Sequence, residues 1–101
     1  MTLKQDLTAV RDLLSDPNRW TQGWLAMNKH RLHVHPQNES ATCWCLVGAG
    51  RKLLPFDREN EVNSALYHAI GDGRSIANFN DHPNTRHSDV LALLDKAIAN
   101  A

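Results

Sequence analysis

The apolar positions near the N-terminus follow the spacing of an amphipathic helix. They recur every three or four residues, at Leu3, Leu7, Val10 and Leu14. Thr2 and Gln5 stand three residues apart at the start of this run, as in the reciprocal capping box that begins many helices. The proline and turn-forming residues of "SDPN" at 15–18 end the pattern. We therefore predict a first helix over residues 3–14.

Two further helices are predicted in the second half of the chain. The first has its apolar stripe at Val62, Ala65, Leu66, Ala69 and Ile70. We place its N-cap at Asp57 and its end at the "GDG" of 71–73, since aspartate favours the N-cap and glycine the left-handed position after a helix. The C-terminal helix has its stripe at Val90, Leu93, Leu94, Ala97 and Ile98. Between them we expect a turn at "SIANF" (75–79) and a loop at "NDHPNT" (80–85).

Short alternating runs replace the helical pattern after residue 22. "GWLAM" (23–27) and "RLHVH" (31–35) lie on either side of "NKH" (28–30). Rough alternation of apolar and polar positions is typical of strands, and a three-residue connection fits a tight loop. We predict a short β-hairpin here.

A central helix is predicted over "ATCWCLVGAGRKLL" (41–54), with Ser40 as its N-cap. Its apolar stripe is Cys45, Ala49 and Leu53, and Pro55 marks its end. Gly48 and Gly50 each cost about 1 kcal/mol relative to alanine inside a helix. Their presence indicates a place where another backbone comes close.

The predicted elements define a mainly α fold: a small helical domain of about four helices with one short β-hairpin. The length of 101 residues is usual for one domain, so we expect a single domain over residues 1–101. One hydrophobic core is expected to contain Leu7, Val10, Trp44, Cys45, Ala49, Leu66, Ala69, Val90, Leu93, Leu94 and Ile98.

Composition and charge narrow the classes of partner. Eleven Lys and Arg balance eleven Asp and Glu, so no global field favours nucleic acid or an anionic membrane. The first 55 residues still carry seven basic and four acidic groups, which leaves room for a local basic patch. "MTLKQDLTAV" lacks the charged and apolar regions of a signal peptide, and no apolar run approaches the roughly 18 residues of a bilayer span. We expect a cytoplasmic protein with reduced thiols.

Three stretches carry a resemblance to a known family: "RWTQGWLA", "CWCLVGA" and "IANFNDHPNTRHSDVLALLDKAI". Together they resemble an uncharacterised family of small bacterial proteins, notably from actinobacteria, and bacteriophage proteins. Its pattern has a W-x-x-G segment, a W-C-x-x-G-A segment, and an N-D loop leading into T-x-x-[ED]-V-L-x-L-L-D-x-A-I. Gly50 and the spacing of "TRHSDV" depart from that pattern. The resemblance implies a shared fold and a bacterial or phage setting, and it implies no activity.

A metal site is one hypothesis for "KHRLHVHPQNESATCWC" (29–45). His33 and His35 would share one face of a strand, an arrangement found in zinc sites, and Cys43 and Cys45 could complete the ligand set. In a helix, however, positions two apart are turned by about 200°. The spacing also lacks the usual forms of structural zinc sites. We therefore predict no metal, and we keep a metal-binding domain using the His33/His35 hairpin as an alternative.

Nucleophilic catalysis is a second hypothesis. Cys45 and His87, each near the start of a predicted helix, could act as nucleophile and base. Asn80 or Asp81 would orient the histidine. In the opposing interpretation Cys45 is a core residue, and Asp81 or Thr85 caps the last helix. We predict no catalytic residue, and a cysteine-dependent hydrolase using Cys45 and His87 remains the runner-up.

Recognition of another protein is the hypothesis we favour. Basic and histidine side chains are concentrated on the predicted hairpin beside Trp24; they are Lys29, His30, Arg31, His33 and His35. Aromatic and arginine side chains are common anchors of protein interfaces. The competing interpretation is a solvated hairpin with Trp20 and Trp24 packed inward.

The sequence therefore predicts a small non-enzymatic protein-binding module without a cofactor. We expect a bacterial protein as its partner, bound through Trp24 and the hairpin residues. In a phage or prophage setting the module would inhibit a host protein such as a defence or regulatory factor. Neither nucleic acid nor a membrane is expected as a partner, and homo-oligomerisation stays open.

Overall fold

The first helix forms where the capping pattern predicts it. The computed structural model describes residues 2–101, and α1 spans Leu3–Leu13. Thr2 Oγ1 accepts a hydrogen bond from Gln5 N, and Gln5 Oε1 accepts one from Thr2 N. These two bonds are the predicted capping box, and they satisfy backbone groups that have no partner within the helix.

The two predicted C-terminal helices are confirmed with shifted starts. Helix α3 spans Phe56–Ile70, so it begins at Pro55 as N-cap and not at Asp57. It ends at Gly71, whose φ of 77° is in the left-handed region that glycine adopts without strain. The turn expected at 75–79 is a full short helix, α4 (Ile76–Asp81), and the last helix, α5, spans His87–Asn100.

The sheet corrects the predicted pairing. Strand β1 (Ala26–Asn28) pairs antiparallel with β2 (Ala41–Trp44), with a register shift after Met27. The segment 31–35, predicted as the second hairpin strand, lies along the other edge of β1 and makes one isolated bridge, Met27 to His33. The predicted tight turn at 28–30 is present, because Asn28 N donates to Leu32 O and Val34 N donates to Ala26 O, but the strand that pairs with β1 in the sheet is β2. The true partner strand lies farther along the chain, where a local loop pattern gives no signal.

The central helix is shorter than predicted. "ATCW" is strand β2, and α2 spans only Leu46–Leu53. Cys45 is the N-cap of α2, and its Sγ accepts a hydrogen bond from Gly48 N. The predicted close backbone approach is real at Gly48, where a Cβ would lie 1.9 Å from the carbonyl oxygen of Leu25. At Gly50 a Cβ would meet only Glu59 Cγ, at an ordinary 3.7 Å.

The hydrophobic core lies among α1, α3 and α5, with α2, α4 and the sheet closing one side. Of the predicted core residues, all are buried except Ile98, which is half buried against the same cluster. The described residues form a mainly α fold of five α-helices, a short 3-10 turn at Pro17–Arg19 and a two-stranded antiparallel sheet. Within the same residues 2–101, no helix has the length and apolarity to span a bilayer.

Candidate functional site

The loop after β1 is organised by the side chain and backbone of Asn28. Its Oδ1 accepts hydrogen bonds from His30 N and Leu32 N, at 2.9 and 3.1 Å. Its backbone oxygen accepts from Arg31 N, and its backbone nitrogen donates to Leu32 O. An asparagine side chain that accepts hydrogen bonds from the following backbone N–H groups fixes the conformation of the loop. The tip of the loop therefore has a defined shape although it is exposed.

Two large apolar side chains stand out from the surface around this loop. Trp24 is 52% exposed and Leu32 is 62% exposed. The indole of Trp24 stacks on the imidazole of His33, with ring centroids 4.3 Å apart and an angle of 8° between the planes. We call Trp24, Leu32 and His33 the Trp24 surface. It contradicts the interpretation in which Trp24 packs inward, whereas Trp20 is half buried.

Basic and histidine side chains are adjacent in sequence to Leu32 and His33 of the Trp24 surface. Lys29, His30, Arg31 and His35 are all exposed, as predicted. Neither Lys29 nor Arg31 takes part in an ion pair within residues 2–101. Arg31 has a φ of 66°, the one left-handed residue other than glycine among the described residues. Such a conformation costs an L-residue local free energy and is enriched at functional positions.

The segment that follows the loop is fixed to the core. Trp44 Nε1 donates a hydrogen bond to the oxygen of Pro36, at 2.9 Å, and both residues are buried. Gln37 Nε2 donates to the backbone oxygen of Arg51 in α2. His35 Nδ1 accepts from Gln37 N, so the ring of His35 is part of this local turn. The loop is thus held at both ends.

A cavity of about 230 Å³ lies next to Trp24. Trp24 and Leu25 form one wall, and Val47 of α2 and Ala77 of α4 contribute others. The carboxylate of Asp81 also lines the cavity, but its Oδ1 already accepts from Gly23 N at 2.9 Å. The walls are therefore mainly apolar, and the cavity is of a size to take one side chain of another molecule.

The buried side chain of Asn80 joins the three segments that carry the family resemblance. Its Oδ1 accepts hydrogen bonds from Trp20 Nε1 at 2.8 Å and from Leu46 N at 3.1 Å. Its Nδ2 donates to Thr21 O and to Asp81 Oδ1. The amide thus uses two donors and two acceptor sites. This network fixes the segment before β1 against α2 and α4, and it gives Asn80 a structural role.

The last helix is capped differently from the prediction. Asp89 Oδ2 accepts a hydrogen bond from Arg86 N at 2.9 Å, and this bond lowers the pKa of Asp89. Asp81 holds Gly23 instead, and Thr85 Oγ1 donates to Phe79 O. The capping role assigned to Asp81 or Thr85 was therefore wrong, because those side chains serve contacts to more distant backbone.

Cys45 and His87, the residues of the hydrolase alternative, both make hydrogen bonds to the backbone. Burial raises the pKa of the Cys45 thiol, outweighing the hydrogen bonds from Gly48 N and Val47 N that lower it. The neutral thiol is the poorer nucleophile. His87 Nε2 lies 2.6 Å from the backbone oxygen of Leu14, and this carbonyl can only accept, so the nitrogen is the donor. The described contacts give the hydrolase alternative no support.

The metal alternative gains no support from the arrangement of ligands. Across residues 2–101, no three His, Cys, Asp or Glu side chains come together as a set that could hold an ion. His33 is stacked on Trp24, and Cys43 and Cys45 are both free and buried. The two thiols lie in different elements, one in β2 and the other at the start of α2.

Two parts of the candidate site were missed in the sequence. Leu32 interrupts a run of basic and histidine residues, and an exposed apolar residue in such a run was the available signal. Asn28 stands at the start of the loop, a position where asparagine commonly bonds to the following backbone. The cavity had no local signal, because its walls come from three separate segments.

Comparison with known families gives a match over almost the whole chain. The model of a family described as "Family of unknown function (DUF6197)" matches residues 1–100. The comparisons with curated proteins and with solved structures found no match. The family match confirms the resemblance to an uncharacterised family. The chain therefore belongs to this family of unknown function.

Proposed function

We propose that this protein is a binding module that docks on a bacterial protein through the Trp24 surface. The observation that carries the proposal is the position of Trp24. Its indole is half exposed, stacked on His33 and next to an apolar cavity, on a loop that hydrogen bonds fix. Exposed aromatic side chains on a rigid support are favoured anchors in protein interfaces, since little conformational entropy is lost on binding.

The chemistry of the surface indicates the partner's chemistry. An apolar side chain of the partner would fill the 230 Å³ cavity against Trp24 and Val47. Acidic side chains would face Lys29 and Arg31, which have no ion-pair partner within residues 2–101. Opposite charges across an interface raise the association rate and select the partner. The partner is therefore a protein with an apolar residue flanked by carboxylates.

The biological setting of the proposal rests on the sequence resemblance. A phage or prophage protein in the bacterial cytoplasm would meet host proteins there, and covering a functional surface of one of them would inhibit it. A host defence or regulatory factor is the kind of target that such an inhibitor would have. No catalytic step or cofactor is part of this proposal.

The first test compares variants of the tagged full chain as baits in lysate of a bacterium that encodes it. Quantitative mass spectrometry would measure each captured protein. We expect Trp24→Ala to reduce capture of the partner at least about tenfold, the size of effect typical of an interface anchor. Phe56→Ala is the matched control, because Phe56 is an aromatic residue, 77% exposed, on α3.

Titrations with the purified partner then distinguish a specific interface from nonspecific binding. In calorimetric titrations, Trp24→Ala and Leu32→Ala should each weaken binding, and Phe56→Ala should leave it unchanged. Raising the salt concentration should weaken binding of the native chain more than that of Arg31→Ala. The proposal fails if Phe56→Ala removes binding and Trp24→Ala does not, or if every protein captured by the native chain is captured in equal amount by Trp24→Ala.

A further inference from the structure

A second, larger cavity lies on a different part of the molecule. It has a volume of about 480 Å³, within the range of small-molecule sites. The end of α3, helix α4 and the exposed side of α5 surround it, and its apolar lining includes Ala69, Ile70, Phe79, Ala92 and Leu93. None of the residues of the Trp24 surface lines it, so it is independent of the proposed protein interface.

A positioned arginine forms part of the wall. The guanidinium of Arg74 lies over the ring of Phe79, with 5.3 Å between its carbon and the ring centroid. Asp72 holds it there, because Asp72 Oδ2 accepts from Arg74 Nε at 2.8 Å and Oδ1 accepts from Arg74 N. The Nη groups of Arg74 have no hydrogen-bond partner among residues 2–101. They remain available to a ligand.

The cavity is lined by two cationic side chains and one acidic side chain, and Asp72, outside the lining, pairs with one of the cations, Arg74. Arg74 and Lys96 face one acidic residue, Asp89. Asp89 is already engaged, since it accepts from Arg86 N and its Oδ2 lies 3.6 Å from Arg86 Nε. Lys96 has no ion-pair partner within the described chain. Two cations with free donors therefore border an apolar space.

Neutral donors complete the polar side of the cavity. His82 and Asn84 both line it. His82 Nδ1 accepts a hydrogen bond from Asn84 N at 3.0 Å, so Nε2 is the ring nitrogen that can donate. The side-chain amide of Asn84 has no partner among residues 2–101. The donors available outnumber the acceptors, as an anionic ligand requires.

We propose that this cavity binds a small organic carboxylate with an apolar body. The carboxylate lies between Arg74 and Lys96, where charge-assisted hydrogen bonds are strongest. The apolar body lies on Phe79, Ala92 and Leu93 and leaves water on binding. A cationic ligand is excluded by the same two side chains, and a fully apolar one leaves their donors without a partner.

The test uses 3-phenylpropionate with the full chain, and 3-phenylpropionamide as a neutral compound of the same shape. Amide-resolved NMR titration would report both the location and the affinity. We expect shifts at Ala69, Phe79 and Ala92, with a Kd of about 1 mM or tighter for the acid and about tenfold weaker binding for the amide. Equal affinity of acid and amide, or shifts confined to other parts of the chain, would overturn the assignment.

Two variants identify the groups responsible. Lys96→Gln should weaken binding of the acid about fivefold to tenfold and leave the amide unchanged. Lys4→Gln removes the same charge on the exposed side of α1, outside both the cavity and the Trp24 surface, and should change neither. Ala92→Phe should fill the space and abolish binding of both compounds. The proposal is wrong if Lys4→Gln and Lys96→Gln weaken binding of the acid equally, since the effect would then come from net charge alone.

Discussion

The helical half of the molecule and the segment 20–45 are stabilised by different interactions. Helices α1, α3 and α5 meet through apolar stripes, and their central side chains are fully buried. The segment 20–45 contributes a short sheet, and individual polar side chains position much of it, among them Asn28, Asn80 and Gln37. In the first region stability is spread over many contacts. In the second, individual hydrogen bonds act together with the buried side chains of Ala26 and Trp44.

This difference makes the segment 20–45 the better support for the proposed binding surface. A loop whose shape is fixed from below, by backbone and amide contacts, keeps its outer side chains free for a partner. The helical half has the opposite arrangement, because its characteristic side chains point inward. The comparison can be tested by removing one interaction of each kind and measuring the free energy of unfolding.

The largest effect is expected in the helical core. Leu94 in α5 is fully buried in the cluster. Leu94→Ala should lower the free energy of unfolding by about 2 to 5 kcal/mol, because lost apolar burial and a residual cavity add together. Urea denaturation followed by circular dichroism would measure it. A loss below about 1 kcal/mol would mean that α5 is not docked as described.

A comparable loss is expected from Asn80 of α4, a single polar residue that positions the segment 20–45. Asn80→Ala would leave Leu46 N, Trp20 Nε1 and Thr21 O without their partner. Each buried polar group left unpaired costs about 1 to 3 kcal/mol. Asn78→Ala is the matched control in the same helix, since Asn78 is exposed and its side chain has no described hydrogen bond. Equal, small losses for the two variants would contradict the network.

Two glycines of α2 give a test with opposite signs. Gly48→Ala would place a Cβ 1.9 Å from Leu25 O, so the sheet and α2 would have to separate at a cost of about 1 to 3 kcal/mol or more. At Gly50 there is room for a methyl group, and alanine is favoured over glycine inside a helix by about 1 kcal/mol. Thermal denaturation should therefore show a lower Tm for Gly48→Ala and a higher Tm for Gly50→Ala. A rise for both would show that β1 and α2 can separate freely.

An ion pair within the helical half should make stability depend on pH. Arg58 of α3 donates two hydrogen bonds to the buried carboxylate of Asp6 in α1, and they lower the pKa of Asp6 below its ordinary value of 3.8. A carboxyl with a lowered pKa in the folded state contributes stability above its unfolded pKa, and this contribution is lost as the pH falls through the folded value. Between pH 7 and pH 3, Asp6→Asn should therefore flatten the decline of the urea midpoint. An unchanged pH profile would contradict this assignment.

The secondary structure predicted from the sequence was more accurate for helices α1, α3 and α5 than for the segment 20–45. Helices α1, α3 and α5 were predicted from apolar periodicity, because contacts within a helix are local and each stripe is continuous. "ATCW" was assigned to a helix because Cys45, Ala49 and Leu53 have helical spacing. Its strand partner lies about fifteen residues earlier, at Ala26–Asn28. A pairing at that distance is decided by packing, which a local pattern does not record.

The candidate site was predictable only in part. The exposure of the basic loop was predicted from its concentration of basic and histidine residues, whereas an exposed and an inward-packed Trp24 both stayed open. The contact between Trp24 and His33 joins two positions that the sequence had singled out. Both cavities depend on how separate elements meet. Asn80 had been considered as a group that orients a catalytic histidine, but its contacts are with backbone and Trp20.

The smallest effect on stability is expected at Arg31. Its variants separate the role of the loop's shape from that of its charge next to the Trp24 surface. Its φ of 66° costs an L-residue about 1 to 2 kcal/mol, a cost that glycine does not have. Glycine also destabilises the folded state by about 0.5 to 1 kcal/mol, because it loses more backbone freedom on folding. Arg31→Gly should therefore be equal to the native chain or up to about 1 kcal/mol more stable in urea denaturation.

Arg31→Ala keeps the strained backbone and should stay within about 0.5 kcal/mol of the native chain, because Arg31 has no ion pair among residues 2–101. Both variants lack the guanidinium, so both should weaken partner capture to the same extent despite their different stabilities. If only Arg31→Gly weakens capture, the shape of the loop matters and the charge does not. If Arg31→Gly is destabilising by more than about 1 kcal/mol, the arginine side chain itself holds the loop, and its role lies within the fold.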